Sequence, residues 1–154
     1  MAKNVAMSNP ARRAVTIALI ELATSRDVSD RADAGRSLAG FVADPDARAA
    51  LVDLLLDAAD TFVTRVTAEA LLRRQDTAGL AVVATALAGA DSNHADWIQT
   101  AVLDVFGVFG DERDAVLLLC EALPLDPDDR VRAGAPQLIA MLTDIDPMLL
   151  PSRE

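Results

Sequence analysis

The chain is poor in the residues that most often carry out chemistry or staple a fold. Its 154 residues include one cysteine, one histidine, one lysine, four phenylalanines, one tryptophan and no tyrosine. A lone cysteine cannot close an internal disulfide, which points to a reducing, cytoplasmic home. One lysine in a chain of net charge −10 leaves no cation cluster to displace counterions, which argues against binding nucleic acid. The longest charge-free run of small and apolar residues, Ala78 to Ala90, has thirteen residues, whereas a membrane-spanning helix needs roughly 20. Arg12 and Arg13 precede the apolar stretch Ala14–Ile20 in the manner of a twin-arginine export signal. Glu21 interrupts that stretch and no small-x-small cleavage site follows. The segment reads instead as a first amphipathic helix with Pro10 near its start.

What the chain does have is alanine. There are thirty, and 52% of all residues are hydrophobic. That composition excludes disorder, favours helix, and at this length supplies one domain with a real core. We expect a disordered tail over 1–9, a single domain over 10–150 and a short C-terminal tail over 151–154.

The chain repeats itself at a lag near 34. Arg31, Arg65, Ile98 and Arg132 fall at intervals of 34, 33 and 34. Three positions later come Ala34, Ala68, Ala101 and Ala135, and four further on Leu38, Leu72, Val105 and Ile139. This spacing marks the inner face of a helix and predicts helices near 28–40, 61–74, 95–107 and 129–142, here called the A set. A second set alternates with it near 46–58, 77–89 and 112–123. There Leu51, Leu54 and Ala58 correspond to Leu80, Val83 and Leu87, then to Val116, Leu119 and Leu123, each triplet at i, i+3, i+7. Val15, Leu19 and Leu22 place an opening B helix at 11–25. Asp44-Pro-Asp46, Asp126-Pro-Asp128 and Asp146-Pro147 set a capping carboxylate beside a helix breaker. Gly40, Gly107 and Gly110 fall where helices should finish in the left-handed conformation, and Pro136 should kink the last A helix or break away its first turns. No alternating segment predicts a sheet. After the last A helix, Asp146-Pro-Met-Leu-Leu-Pro151 is too short for a partner helix and should fold back as an apolar plug.

Asp128-Asp-Arg-Val-Arg-Ala-Gly-Ala135 resembles the start of a HEAT-type repeat. Val102-Leu-Asp-Val-Phe-Gly-Val-Phe-Gly-Asp111, followed by Ala115-Val-Leu-Leu-Leu119, resembles the short HEAT-like repeat also found in phycobilisome lyases. The resemblance covers roughly residues 28 to 142, with Ile98 replacing the arginine of the third repeat. It implies an all-α, right-handed alpha-alpha superhelix of about four antiparallel helix pairs, with the B helices on the concave side. It also implies a protein-binding role, and Asp-to-Arg bonds between repeats that would make Arg31, Arg65 and Arg132 a structural ladder rather than an anion site. Nothing in the sequence marks a chromophore pocket, so bilin lyase activity is not implied.

Candidate chemistry is sparse. His94, in Asp91-Ser-Asn-His-Ala-Asp96, has carboxylates beside it but no nucleophile at a useful spacing. Cys120 follows Val116-Leu-Leu-Leu119 and has Glu121 rather than a cation for a neighbour, the setting of an inert buried thiol. There is no Cys-x-x-Cys, no His-Glu-x-x-His, no phosphate-cradling glycine loop and no Asp-x-Asp-x-Asp-Gly calcium loop. We therefore expect no metal and no cofactor. Asp44 with Asp46, and Asp126 with Asp128 and Asp129, are explained by capping; a metal-dependent hydrolase using them is the competing reading.

The functional expectation is a non-enzymatic module that binds another protein carrying a basic patch, with a homodimer as a variant. An inhibitor or immunity protein covering a toxin's cationic site is one such case. The repeat alignment places Asp53, Val82 and Leu118 at equivalent B-helix positions, and Leu56, Thr85 and Glu121 at another. With Val82 and Leu118 open to solvent, Asp53, Asp57 and Glu121 would rim an apolar centre. Trp97, at the start of the third A helix, is either a binding anchor or a filler between repeats.

Overall fold

The computed structural model describes residues 2–150, with side chains described from Asn9 onward. Over these residues the chain is all-helical, without a strand. In order it forms α1 (Ala2–Leu22), α2 (Val28–Leu38), α3 (Pro45–Leu55), α4 (Thr61–Leu72), α5 (Thr77–Gly89), α6 (Ser92–Phe106), α7 (Gly110–Cys120) and α8 (Asp129–Thr143). Two 3-10 turns, Ala39–Phe41 and Leu123–Leu125, follow α2 and α7. The two alternating sets lie within a few residues of their expected bounds. The exception is α1, whose helical backbone begins at Ala2 within the segment expected as a disordered tail. Pro10 is thus inside the helix, withholding one main-chain donor without ending it. The expected tail over 151–154 lies outside the described residues.

Aspartates start most of these helices. The carboxylates of Asp27, Asp44, Asp60, Asp76, Asp91 and Asp128 each accept first-turn N–H groups, at α2, α3, α4, α5, α6 and α8. Three of these caps carry a second device. Four residues on, an arginine reaches back to the carbonyls of the two residues just before the cap: Arg31 to Ser25 and Arg26, Arg48 to Val42 and Ala43, Arg132 to Asp126 and Pro127. The linker's acceptors are thereby satisfied by charge-assisted bonds.

Helix α7 has no such cap, because Phe109 precedes it. Its first N–H, of Gly110, donates instead to the Leu149 carbonyl at 2.8 Å, and the Leu149 N–H donates to the Val108 carbonyl at 2.8 Å. Arg113 braces this segment by donating to the carbonyls of Leu142 and Ile145. The expected apolar plug is corrected here. The segment does fold back, and Ile145 and Pro147 are buried, but Met148, Leu149 and Leu150 are exposed. Main-chain pairing docks the segment, so its large side chains need not enter the core.

Ala34, Ala68, Ala101 and Ala135 are all fully buried, as the repeat predicts. Small residues at these points let α2 pack closely on α4, and α4 on α6. At the α2–α4 contact a Cβ on Gly35 would overlap the Thr67 hydroxyl. Glycine conformation differs from expectation. No described glycine is left-handed, Gly110 opens α7, and the one left-handed residue described is Gln75 (φ 51), between α4 and α5. Pro136 does not break α8, which runs unbroken past it with the ring exposed.

The last A helix changes partner. A regular stack would set α8 on α6; its most extensive contact is with α5. The approach is so close that a Cβ on Gly134 would overlap the Ala84 carbonyl. This contact explains the charge-free α5. With α3, α4 and α8 against it, seven of its residues are buried: Gly79, Leu80, Val82, Val83, Ala84, Ala86 and Leu87.

Two measurements test these contacts. Gly134→Ala should lose about 2–3 kcal/mol in urea unfolding, since the added methyl meets backbone rather than a side chain that can swing away. Gly40→Ala, with nothing nearby, should be neutral or gain up to about 1 kcal/mol. For the C-terminal segment, replacing Met148, Leu149 and Leu150 together by serine should shift stability by only about 0.5 kcal/mol. Truncation after Asp146, which removes the α7 cap and Pro147, should lose about 1–2 kcal/mol. If the serine variant is as unstable as the truncation, the side chains and not the main chain hold the segment.

Candidate functional site

Helices α3 and α5 lie side by side, and the segment Asp126–Val131 leading into α8 walls one side of the hollow between them. The cleft has a volume of about 590 Å³. Val42, Ala49, Val52, Ala81, Val82 and Val131 give it an apolar lining, and Arg48, Asp53, Asp126, Asp128 and Arg130 supply its charge. The lining is thus mixed, with polar groups at least as prominent as apolar ones.

These charges differ in freedom. Arg48 is committed to the Val42 and Ala43 carbonyls. Asp126 accepts the Asp128 N–H, and Asp128 in turn caps α8 while standing 3.6 Å from the Arg130 guanidinium. Asp53 is exposed and forms no ion pair among the described residues. Thr85 is half-buried, and its hydroxyl donates to the Ala81 carbonyl one turn back.

Of the residues expected to form a binding face, the structure brings Asp53, Val82 and Thr85 together in this cleft. Val82, expected to be open to solvent, is only 2% exposed, because α5 is enclosed by its neighbours instead of presenting a free face. Leu118 is 66% exposed and Glu121 exposed, but both belong to the α7 end and neither lines the cleft. Helix α7 contacts α5 only weakly, so equivalence in the repeat does not make one surface. Trp97 is half-buried on α6, outside the cleft.

Asp57 is not a rim residue. It is buried against Arg31, whose Nε donates to it at 2.7 Å, and it also accepts the N–H groups of Ala59 and Asp60. Burial pushes its carboxyl up, but the Arg31 bond and the two N–H groups outweigh burial and hold it below the usual range. This ion pair joins α2 to the turn that follows its paired helix α3. Arg65 reaches Asp104 of α6 at 3.0 Å, whereas Arg132 bonds linker carbonyls.

Cys120 is fully buried, and desolvation pushes its thiol up to about 11, so the thiolate is suppressed at neutral pH. Among the described residues no group of three or more His, Cys, Asp or Glu side chains is placed to hold a metal ion. Among them, too, no helix is long and apolar enough to cross a membrane.

Sequence reasoning did not assign Arg48, Arg130 or Val131 to a site. Their convergence depends on α8 leaving the A stack for α5. The signal for that move was a pair of small residues, Gly134 and Ala84, that only a close helix crossing requires.

No protein-family model matches the chain, and no curated protein matches it. A solved crystal structure described as an engineered protein is similar at 21% identity, over 81% of this chain and 61% of that one, with a TM-score of 0.33. The chain thus spans under two thirds of that protein's length, and a likeness at this TM-score carries no argument about fold or function.

The corrected burial inverts the expectation for α5. Val82→Asp should lose at least about 3 kcal/mol, since it puts a carboxylate in the core without a partner. Leu118→Asp should change stability by no more than about 0.5 kcal/mol. Thermal melts of the two single variants decide this, and equal melting points would contradict the structure.

Proposed function

We propose that the chain is a HEAT-like solenoid of about four antiparallel helix pairs, non-enzymatic and cytoplasmic, that binds another protein through the cleft between α3, α5 and the start of α8. The observation that carries this reading is the cleft itself, a hollow of about 590 Å³ in which valines and alanines are mixed with Asp53, Asp126 and Asp128 and with Arg48 and Arg130. The partner's contact surface is basic. A surrounding charge of −10 would steer such a partner and make its association rate fall with salt. An inhibitor or immunity protein covering a toxin's cationic site fits this description. So would a second copy of the chain presenting one of its arginines. The fully buried repeat alanines, the Arg65–Asp104 pair between α4 and α6 and the alternation of helix sets support the solenoid, while the α5–α8 contact closes its last repeat differently.

The test is site-specific photo-crosslinking in cells, with the crosslinker at Thr85 and a control crosslinker at Asp33 on α2. A partner captured from Thr85 but not from Asp33 is then purified and titrated against wild type and Asp53→Lys. We expect the exposed Asp53→Lys to melt within about 0.5 kcal/mol of wild type and to bind at least about tenfold more weakly, or ~1.4 kcal/mol. Unchanged affinity, or equal capture from both positions, would overturn the cleft as the binding surface.

A further inference from the structure

His94 is the chain's single histidine and sits in the first turn of α6 with its side chain only 14% exposed. Both ring nitrogens face acceptors. Nδ1 is 2.7 Å from Asp91 Oδ1, and Nε2 is 2.8 Å from the main-chain carbonyl oxygen of Asp57. A carbonyl oxygen never donates, and neither does an ionised carboxylate. A neutral imidazole carries one N–H, so in either tautomer one of these contacts would set two lone pairs against each other. Only the imidazolium donates at both.

We propose that His94 is a proton-operated clasp that fastens the start of α6 to the α3–α4 turn with two bonds while the ring is charged and loosens to a single bond, shared between the Asp91 and Asp57 acceptors, when the ring loses a proton. The fastening reaches further than two residues. The Asp57 carboxylate is held by Arg31 of α2 and by the N–H groups of Ala59 and Asp60, so α2, the turn and α6 form one hydrogen-bonded chain. The charged groups that act on the ring are Asp91 on its own helix cap and Asp57 at the turn; Asp57 is itself paired with Arg31, on which Asp60 and Asp27 also act.

The forces on the proton can be ranked. The bond to the Asp57 carbonyl favours the charged ring most, and the bond and charge of Asp91 favour it further. Burial and the positive end of the α6 dipole oppose it. The balance raises the pKa above the ordinary histidine value. A group raised on folding stabilises the native state fully below its unfolded pKa of about 6.5, and that contribution is lost as pH rises through the folded value. The clasp is therefore tight in mild acid and loosens toward alkaline pH.

With one histidine, the imidazole proton resonance of the full chain titrates without ambiguity in an NMR experiment. Its midpoint should lie above about 6.5. Hydrogen exchange at residues 57–60 and 92–95, corrected for intrinsic base catalysis, should lose protection as pH rises through that midpoint. The total loss should be about tenfold per unit by which the midpoint is raised. His94→Gln keeps a single donor and should show no such loss. Asp91→Asn keeps the cap's acceptor without its charge and should move the wild-type midpoint down. A wild-type midpoint at or below 6.5 would overturn the clasp, as would a raised midpoint with pH-independent protection. These two wild-type measurements decide the matter even if a variant fails to fold.

Discussion

The contact on which most of the structure depends is the crossing of α8 over α5, where Gly134 comes against the Ala84 carbonyl. No side chain fits between two backbones at that distance, so glycine is required on one helix and a small residue on the other. Drawing α8 onto α5 buries a helix that carries no charge on any side. It also swings Asp126–Val131 into position as the wall of the cleft. The core and the candidate site therefore arise from one packing decision. In a stack that repeated without change, α5 would expose an alanine-rich face and the cleft would lack a side.

Charge does a different task at the helix ends. The chain is rich in aspartate, and six of those carboxylates are N-caps. The arginine four residues after three of them ties down the linker carbonyls. Linkers are thus held by main-chain acceptors, which every residue has, rather than by linker side chains. The C-terminal segment follows the same rule at α7, where a carbonyl of Leu149 pairs with the Gly110 N–H. Acidic clusters that could be read as metal ligands are in this way accounted for as the ordinary ends of helices.

Much of this was legible in the residues. Ala34, Ala68, Ala101 and Ala135 announced the buried A-helix faces because period and residue size are local properties. The aspartates announced helix starts for the same reason. Val82 was misjudged because its burial depends on α8, forty-five and more residues away, choosing α5 over α6. Leu118 has the exposure expected of it but not the company, since α7 barely touches α5. Asp57 looked like a rim charge, and only the fold could reveal that Arg31, 26 positions earlier, lies beside it. Glycine at a helix end suggested a left-handed turn, yet the described left-handed residue is Gln75, where no sequence signal stood.

The burial of Cys120 has a consequence for how the end of the molecule can be observed. Its sulfur is sealed from solvent in the folded chain and mostly protonated at neutral pH, so an alkylating reagent meets it only when α7 lifts from its neighbours. The thiol is therefore a natural clock for the opening of α7. Where reagent is dilute, its modification rate tracks how often that helix is open, and where reagent is abundant, how fast it opens. Since the chain has no other cysteine, this record concerns α7 alone.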